Sequence, residues 1–259
     1  MFETLVRMFL YYPVILDPSA QLPEYIHGAE QVWIDSADGN RIHGLYWRAP
    51  DKRPTILFFH GNAQTVFEWA LVTEDIKPME CGMLLIDYPG YGKSTGKPRE
   101  EALYAAGHAA LRWLVGHMKV PEHRIILFGK SLGGPVAAEV AQGHSIMGLV
   151  LESTFQSVPA MIRRMVPLLP EHAWLSSEQY NTASRLPSIH VPVVFVHGTI
   201  DTLVPISEGK ALYALANEPK HIYIVDGAGH NDVSFVAGRE YGLTLRRWLD
   251  GIENKTTMY

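Results

Sequence analysis

The chain has 259 residues, of which 47% are hydrophobic and 19% charged, and this composition excludes an intrinsically disordered protein. A chain of this length can bury a full core without disulfides. Its 22 Lys and Arg against 27 Asp and Glu give a net charge of −5. We therefore expect no nucleic-acid partner, because nucleic-acid binders carry a basic surface. The single cysteine, Cys81, excludes an internal disulfide and a multi-cysteine metal site, and it favours a reducing compartment such as the cytoplasm.

Residues 1–30 are expected to form an N-terminal segment that packs on or near the main fold. Within it, residues 8–16 (MFLYYPVIL) are apolar, but a helix that crosses a bilayer needs about 20 apolar residues. The run Pro18-Ser19-Ala20 is a poor match for a signal-peptide cleavage site. Weak contact with a membrane surface and a remnant of a targeting sequence stay open as alternatives.

Eight short runs with strand character follow in chain order. Residues 31–36 and 41–47 alternate between apolar and polar side chains, and Asp38-Gly39 between them predicts an antiparallel hairpin. The later runs are continuously apolar, which is typical of strands buried on both faces of a parallel sheet. These runs are residues 55–59, 83–86, 125–128, 148–151, 193–196 and 222–225.

Helical patterns separate most of the strand runs. Residues 100–118 have apolar side chains at helical spacing and acidic side chains in the first turn. Residues 132–142, 207–217 and 232–249 continue the alternation of strand and helix. This order predicts an α/β fold, with an eight-stranded, mostly parallel sheet that is flanked by helices. We expect residues 31–259 to form a single domain.

A candidate nucleophile lies in Gly129-Lys130-Ser131-Leu132-Gly133, directly after one strand run and directly before a helix. The pattern G-x-S-x-G in a strand–turn–helix context is typical of a nucleophile elbow. The two glycines allow neighbouring backbone to approach closely, so that the serine hydroxyl is exposed above the carboxyl ends of the strands. The sequence therefore predicts that Ser131 is a catalytic nucleophile.

A serine nucleophile needs a base, and His230 is the candidate, since Gly227-Ala228-Gly229-His230-Asn231 follows the last strand run. The third member should be a carboxylate that orients the imidazole. Asp201 is favoured because it follows the strand run 193–196, although it could instead cap a helix that begins near Pro205. Glu152 also ends a strand run and is the competing candidate. The chain order serine, aspartate, histidine is the one expected for such a fold.

An anion site is predicted at the turn His60-Gly61-Asn62-Ala63, which follows the strand run 55–59. The expected oxyanion donors are the backbone amides of Asn62 and of Leu132, the residue after the nucleophile. We expect His60 to hold the shape of this turn by hydrogen bonding rather than to act as a base. The histidines lack the H-E-x-x-H spacing of a zinc hydrolase, so no metal site is predicted.

Six segments carry a resemblance to a known family: FFHGNA, DYPGYGKSTGKP, GKSLGG, LESTF, HGTIDTLVP and GAGHND. From residue 31 to about residue 249 the chain resembles a serine hydrolase of the α/β-hydrolase superfamily. The segments are similar to a branch that contains bacterial esterases and eukaryotic membrane-anchored lipases and protein depalmitoylases, with a distant likeness to serine aminopeptidases. The resemblance implies an acyl-enzyme mechanism without a metal or organic cofactor. Motif matching gives Ser131 as nucleophile, Asp201 as acid and His230 as base.

The expected function is hydrolysis of small-molecule carboxylic esters with short to medium acyl chains. In this superfamily the lid is inserted where residues 154–191 lie, and these 38 residues allow only a minimal lid. We expect residues 158–169 to form the crossover helix and residues 170–190 to form surface loop. The alternatives are an acyl-protein or acyl-CoA thioesterase, a lysophospholipase or lipase, an aminopeptidase-like amidase and a binding scaffold without activity. The oligomeric state is left open.

Overall fold

The fold is built on an eight-stranded sheet, and the computed structural model describes residues 7–8, 10–50, 52–166 and 177–256. The strands are β1 (Glu30–Asp35), β2 (Arg41–Trp47), β3 (Thr55–Phe59), β4 (Gly82–Ile86), β5 (Ile125–Lys130), β6 (Gly148–Glu152), β7 (Val193–Gly198) and β8 (Lys220–Val225). They lie in the order β1-β2-β4-β3-β5-β6-β7-β8. The strand β2 pairs antiparallel with β1 and β4, and every other pairing is parallel. The predicted mostly parallel eight-stranded sheet is confirmed.

Helices cover both faces of the sheet. They are α1 (Val66–Val72), α2 (Glu100–Gly116), α3 (Gly133–Ala141), α4 (Val158–Met165), α5 (Thr182–Arg185), α6 (Ile206–Leu215), α7 (Val233–Ala237) and α8 (Arg239–Thr256). Short 3-10 helices occupy Thr73–Met79, Glu122–Arg124 and Leu186–Ser188. Buried residues of α2, α3 and α6 pack on one face, and those of α1, α7 and α8 pack on the other.

The continuous apolar runs follow from this arrangement, because both faces of each central strand are covered. In β3, Leu57 and Phe59 belong to the core on one face, whereas Ile56 and Phe58 belong to the core on the other. The next strand, β5, divides its apolar side chains in the same alternating way. The carboxyl ends of β3, β5, β6 and β7 therefore meet at one edge of a rigid sheet.

Two helical predictions differ from the structure. The helix expected at residues 232–249 is divided into α7 and α8 at Gly238, whose φ of 54° places it in the left-handed region. The loop expected at residues 170–190 contains α5, which packs against α3 and α6. The connection between β6 and β7 therefore includes α5 and the 3-10 helix Leu186–Ser188 in the layer of α3 and α6, and the helix expected over residues 158–169 ends at Met165.

The helix α4 explains why the crossover prediction was wrong. It ends at Met165, and Val158 is its buried residue, whereas Arg163, Arg164 and Met165 are exposed. Met161 and Ile162 are partly buried against the core, so this short helix contacts the fold along one side only. The expected lid includes residues 167–176, which lie outside the described residues, so the lid prediction stays a prediction for that part.

Residues 11–16, which we call the strap, cross the edge formed by the carboxyl ends of the strands. The ring of Tyr11 is buried, and Ile15 forms an isolated parallel bridge with Gly92 in the loop after β4. Further along the N-terminal segment, Ile26 is buried in the core. Within the described residues, no helix is both long and apolar enough to cross a membrane.

Candidate active site

The turn after β5 places Ser131 at the carboxyl edge of the sheet with a φ of 52°, in the left-handed region. Hydrogen bonds with β6 and the residues after it hold the backbone of Ser131. The Ser131 amide donates to the carbonyl oxygen of Glu152 over 2.8 Å, and Thr154 Oγ1 donates to the Ser131 carbonyl oxygen over 2.8 Å. The neighbouring strand β6 and the residues after it therefore fix a serine whose unfavourable backbone conformation needs such support.

The glycines around Ser131 are required by close backbone approach. A Cβ atom at Gly129 would overlap the carbonyl oxygen of Gly133, and one at Gly133 would overlap the carbonyl oxygen of Phe59. A Cβ atom at Gly134 would overlap Thr154 Oγ1. The beginning of α3 can thus approach β3 and β5 only because these positions lack side chains.

The loop after β8 brings His230 to Ser131. His230 Nε2 lies 2.9 Å from Ser131 Oγ, and His230 Nδ1 lies 2.8 Å from Asp201 Oδ2. A neutral imidazole that donates from Nδ1 to the carboxylate presents an unprotonated Nε2 to the hydroxyl. The structure therefore brings together the three residues that the sequence predicted. His230 lies between the other two and contacts both Ser131 and Asp201.

Asp201 is held by the loop that follows β7. Its Oδ1 accepts hydrogen bonds from the amides of Leu203 and Val204, over 3.0 and 2.8 Å. Burial would raise the pKa of Asp201, but hydrogen bonds with His197 and His230 outweigh that effect and lower the pKa below that of an ordinary carboxyl group. Asp201 is therefore ionised at neutral pH.

His197 is a partner of Asp201 that sequence reasoning missed. Its Nε2 lies 2.7 Å from the carbonyl oxygen of Val204, to which it donates, and 3.4 Å from Asp201 Oδ2. A side chain at position 209 would overlap the imidazole, so Gly209 leaves the space that the ring needs. The available signal was its position in the segment HGTID, at the end of the strand that leads to Asp201.

Glu152, the competing carboxylate, has other partners. Its Oε1 lies 2.7 Å from Lys130 Nζ, and its Oε2 accepts a hydrogen bond from the Tyr241 hydroxyl. Lys130 and Glu152 are both buried, with exposed fractions of 4% and 1%. The geometry thus gives His230 the carboxylate of Asp201, whereas Glu152 neutralises a buried lysine beside the nucleophile.

The turn after β3, residues 60–64, lies against Ser131. A Cβ atom at Gly61 would be 3.5 Å from Ser131 Cβ. This turn carries the Asn62 amide, and Leu132 carries the second predicted oxyanion donor. Because Leu132 immediately precedes α3, its amide is one of the first-turn amides that have no acceptor within a helix.

His60 is enclosed in the same turn. Its Nδ1 lies 2.7 Å from the Gly61 carbonyl oxygen, to which it donates, and its ring stacks on Trp69 and tilts against Tyr88. Burial lowers the pKa of His60, so the imidazole is neutral. These contacts fit a residue that holds the shape of the turn.

Neither the described acidic and histidine side chains nor Cys81 form a typical metal site. Within the described ranges, no three His, Cys, Asp or Glu side chains are grouped so that they could hold a metal ion. Cys81 is partly buried, and burial raises the pKa of its thiol to about 12. A thiol of this kind is protonated at neutral pH and is a poor nucleophile.

Comparison with known proteins places the chain in a family. Residues 50–182 match the family model described as serine aminopeptidase, S33. An uncharacterized protein of Mycobacterium tuberculosis is 33% identical over 245 residues, which cover 94% of this chain and 86% of that protein. The α/β-hydrolase domain-containing protein WAV2 of Arabidopsis thaliana is 31% identical over 241 residues, which cover 85% of this chain and 78% of that protein.

The fold is also similar to that of solved structures. An esterase from Pyrococcus furiosus superposes with a TM-score of 0.74 over 93% of this chain and 97% of that chain, at 21% sequence identity. An α/β hydrolase from Vibrio vulnificus gives a TM-score of 0.72 over 86% and 81% of the two chains, at 23% identity. The sheet order, the family match and these relatives agree, and the chain belongs to the α/β-hydrolase superfamily, in the serine aminopeptidase S33 family.

Proposed function

We propose that the protein is a carboxylic-ester hydrolase in which Ser131 is the nucleophile. The observation that carries the proposal is the continuous hydrogen-bonded series from Ser131 Oγ through the His230 imidazole to the ionised Asp201 carboxylate. A serine hydroxyl at a left-handed turn, with a neutral imidazole as its base and a carboxylate that fixes the tautomer, is the arrangement that serine acyl transfer requires.

The acylation step follows from these distances. Ser131 Oγ attacks the acyl carbonyl carbon while His230 Nε2 accepts the hydroxyl proton, and Asp201 stabilises the resulting imidazolium. The carbonyl π electrons move to oxygen, and the backbone amides of Asn62 and Leu132 donate to that oxyanion. When the tetrahedral intermediate collapses, the C–O bond to the alcohol breaks and His230 returns the proton to the leaving oxygen.

Deacylation repeats the same steps with water. His230 accepts a proton from a water molecule, the hydroxide oxygen attacks the acyl-enzyme carbonyl, and the ester bond to Ser131 Oγ breaks with return of the proton. No other group is needed to balance the reaction, since one water molecule is consumed for each ester cleaved.

Short to medium acyl chains are the proposed substrates. Support comes from the connection between β6 and β7, in which α5 and the 3-10 helix Leu186–Ser188 belong to the helical layer beside α3 and α6. The remainder of the connection is too short for a second domain. A panel of acetate, butyrate, octanoate and palmitate esters, with matching thioesters and aminoacyl amides, tests both the chain length and the bond that is cleaved.

The Ser131→Ala variant tests the nucleophile. We expect kcat on the best ester to fall by about 10⁴–10⁶, because triad members act as a unit, and labelling by a fluorophosphonate probe to disappear. Ser153→Ala is the matched control, since it removes a nearby buried hydroxyl that has no hydrogen-bond partner within the described residues. Wild-type turnover in Ser131→Ala, or loss of labelling in Ser153→Ala alone, would contradict the proposal.

A further inference from the structure

The side chain of Asn62 accepts hydrogen bonds from distant parts of the chain. Its Oδ1 accepts from the backbone amide of Tyr12 over 2.8 Å, from the Tyr91 hydroxyl over 3.0 Å and from the Ala63 amide over 2.9 Å. One donor belongs to the strap, one to the loop after β4 and one to the turn itself. A single carboxamide oxygen therefore links three segments at the residue whose backbone amide is a proposed oxyanion donor.

The turn that contains Asn62 needs external support. Ala63 and Gln64 follow Asn62 with φ values of 70° and 66°, so two successive residues with side chains adopt the left-handed conformation that favours glycine. The Ala63 carbonyl oxygen accepts a hydrogen bond from Trp69 Nε1 over 3.0 Å. Such a backbone persists only where surrounding contacts determine it, and the Asn62 carboxamide supplies several of them.

The strap is fixed on both sides of the Tyr12 amide. On one side, the Tyr11 hydroxyl donates to Glu178 Oε2 over 2.6 Å in a buried contact. On the other, the Gly92 amide donates to the Val14 carbonyl oxygen over 2.7 Å, and the Leu16 amide donates to the Gly92 carbonyl oxygen over 2.8 Å. The Tyr12 donor is thus held in place by contacts that do not involve Asn62.

We propose that the Asn62 carboxamide is a positioning residue for the oxyanion site, and that the strap and Tyr91 act on catalysis through it. The inference rests on the proposed function. An oxyanion donor must lie within about 2.7–3.1 Å of the developing charge to be effective. Fixing Oδ1 at three donors fixes the Asn62 residue as a whole, and its backbone amide with it. The side chain acts through the backbone and does not itself contact the substrate.

The experiment compares three variants of the full-length protein. Asn62→Ala removes the acceptor, and Tyr91→Phe removes one donor without changing shape. Tyr104→Phe is the matched control, because it removes another tyrosine hydroxyl in a partly buried hydrogen bond, which donates to Glu100 at the beginning of α2. Each variant is assayed for kcat and KM on the best ester and for thermal unfolding. Each is also titrated with an acetyl-sized trifluoromethyl ketone, whose carbonyl accepts Ser131 Oγ to give a hemiketal oxyanion while His230 takes the proton.

We expect kcat to fall about 100-fold in Asn62→Ala and about 5-fold in Tyr91→Phe, whereas KM changes less than about threefold, because oxyanion stabilisation is expressed in the transition state. Affinity for the trifluoromethyl ketone should fall in parallel with kcat/KM. In Tyr104→Phe, kcat and ketone affinity should stay within about twofold of the wild type.

The outcomes separate the two proposals. A wild-type protein that cleaves none of the esters and is not labelled at Ser131 overturns the proposed function. An active wild type with unchanged kcat and ketone affinity in folded Asn62→Ala overturns the positioning role. Should Asn62→Ala fail to fold, Tyr91→Phe decides: ketone affinity equal to that of Tyr104→Phe overturns the inference, and a selective loss supports it.

Discussion

The turn after β5, which contains Ser131, and the turn after β3, which lies against Ser131, are held by different forces. In the first, Gly129, Gly133 and Gly134 allow backbone atoms to pack so closely that no Cβ atom fits. In the second, Gly61 has more space, and long-range hydrogen bonds to the Asn62 side chain hold the turn. The glycines that close packing requires are near one another in the sequence. The hydrogen bonds that support the turn after β3 come from residues far away in the chain.

The largest expected effect tests steric exclusion. In Gly133→Ala the new methyl group would overlap the Phe59 carbonyl oxygen and lie 2.8 Å from the His60 carbonyl oxygen. Backbone cannot yield as a flexible side chain can, so we expect loss of soluble folded protein or a fall in Tm of more than 15 °C. Gly116→Ala is the control, since no other described residue lies within 4 Å of a Cβ added there, apart from the helix itself, and alanine has a higher helix propensity than glycine. Equal Tm values for the two variants would show that the turn after β5 can adapt.

The second prediction separates the two carboxylates near the nucleophile turn. Asp201→Asn should lower kcat by about 10⁴ with little change in Tm, because the amide favours the wrong imidazole tautomer. Glu152→Gln should have the opposite profile. It leaves the charge of Lys130 buried without a partner, which costs about 3 kcal/mol in the free energy of unfolding, while the Ser131–His230 contact is unchanged. If kcat fell in Glu152→Gln and not in Asp201→Asn, Glu152 rather than Asp201 would be the carboxylate that orients His230.

The smallest effect concerns pH and the turn after β3. Burial keeps His60 neutral in the native state by lowering its pKa, whereas the unfolded chain binds a proton below about pH 6.5. The contribution of His60 to stability is therefore complete above that pH and is lost as the pH falls. Urea unfolding at pH 7.5 and pH 5.5 should show that the wild type loses up to about 1.4 kcal/mol per pH unit more than His60→Phe. If the wild type and His60→Phe show the same dependence of stability on pH, His60 is protonated at pH 5.5 in the folded protein as well as in the unfolded chain.

The sequence predicted the sheet and the three candidate catalytic residues because both depend on local patterns. Continuous apolar runs identify strands that are buried on two faces, and strand ends place Ser131, Asp201 and His230 at one edge. The observed strands begin and end within two residues of those predicted. The assignment of catalytic roles to these three residues stays a proposal that the variants above test.

What the sequence did not predict involves pairs that are far apart in the chain. The contact of the Tyr12 amide with Asn62, the approach of His197 to Asp201 and the burial of Lys130 against Glu152 depend on how loops meet after the strands are in place. The crossover position of α5 was missed for a related reason. Its residues 182–185 are too few to show a helical period, and packing against α3 and α6 defines the helix.

The ion pair beneath the nucleophile turn bears on how this turn could be exchanged by protein engineering. Lys130 is adjacent to Ser131, its buried partner Glu152 is on the next strand, and Tyr241 on α8 completes the cluster. The Glu152 carbonyl oxygen also binds the Ser131 amide. A grafted five-residue motif with an uncharged residue at position 130 would leave the buried Glu152 carboxylate without this partner. To transfer this turn between proteins, residues 152, 154 and 241 would have to be exchanged together with the five-residue motif.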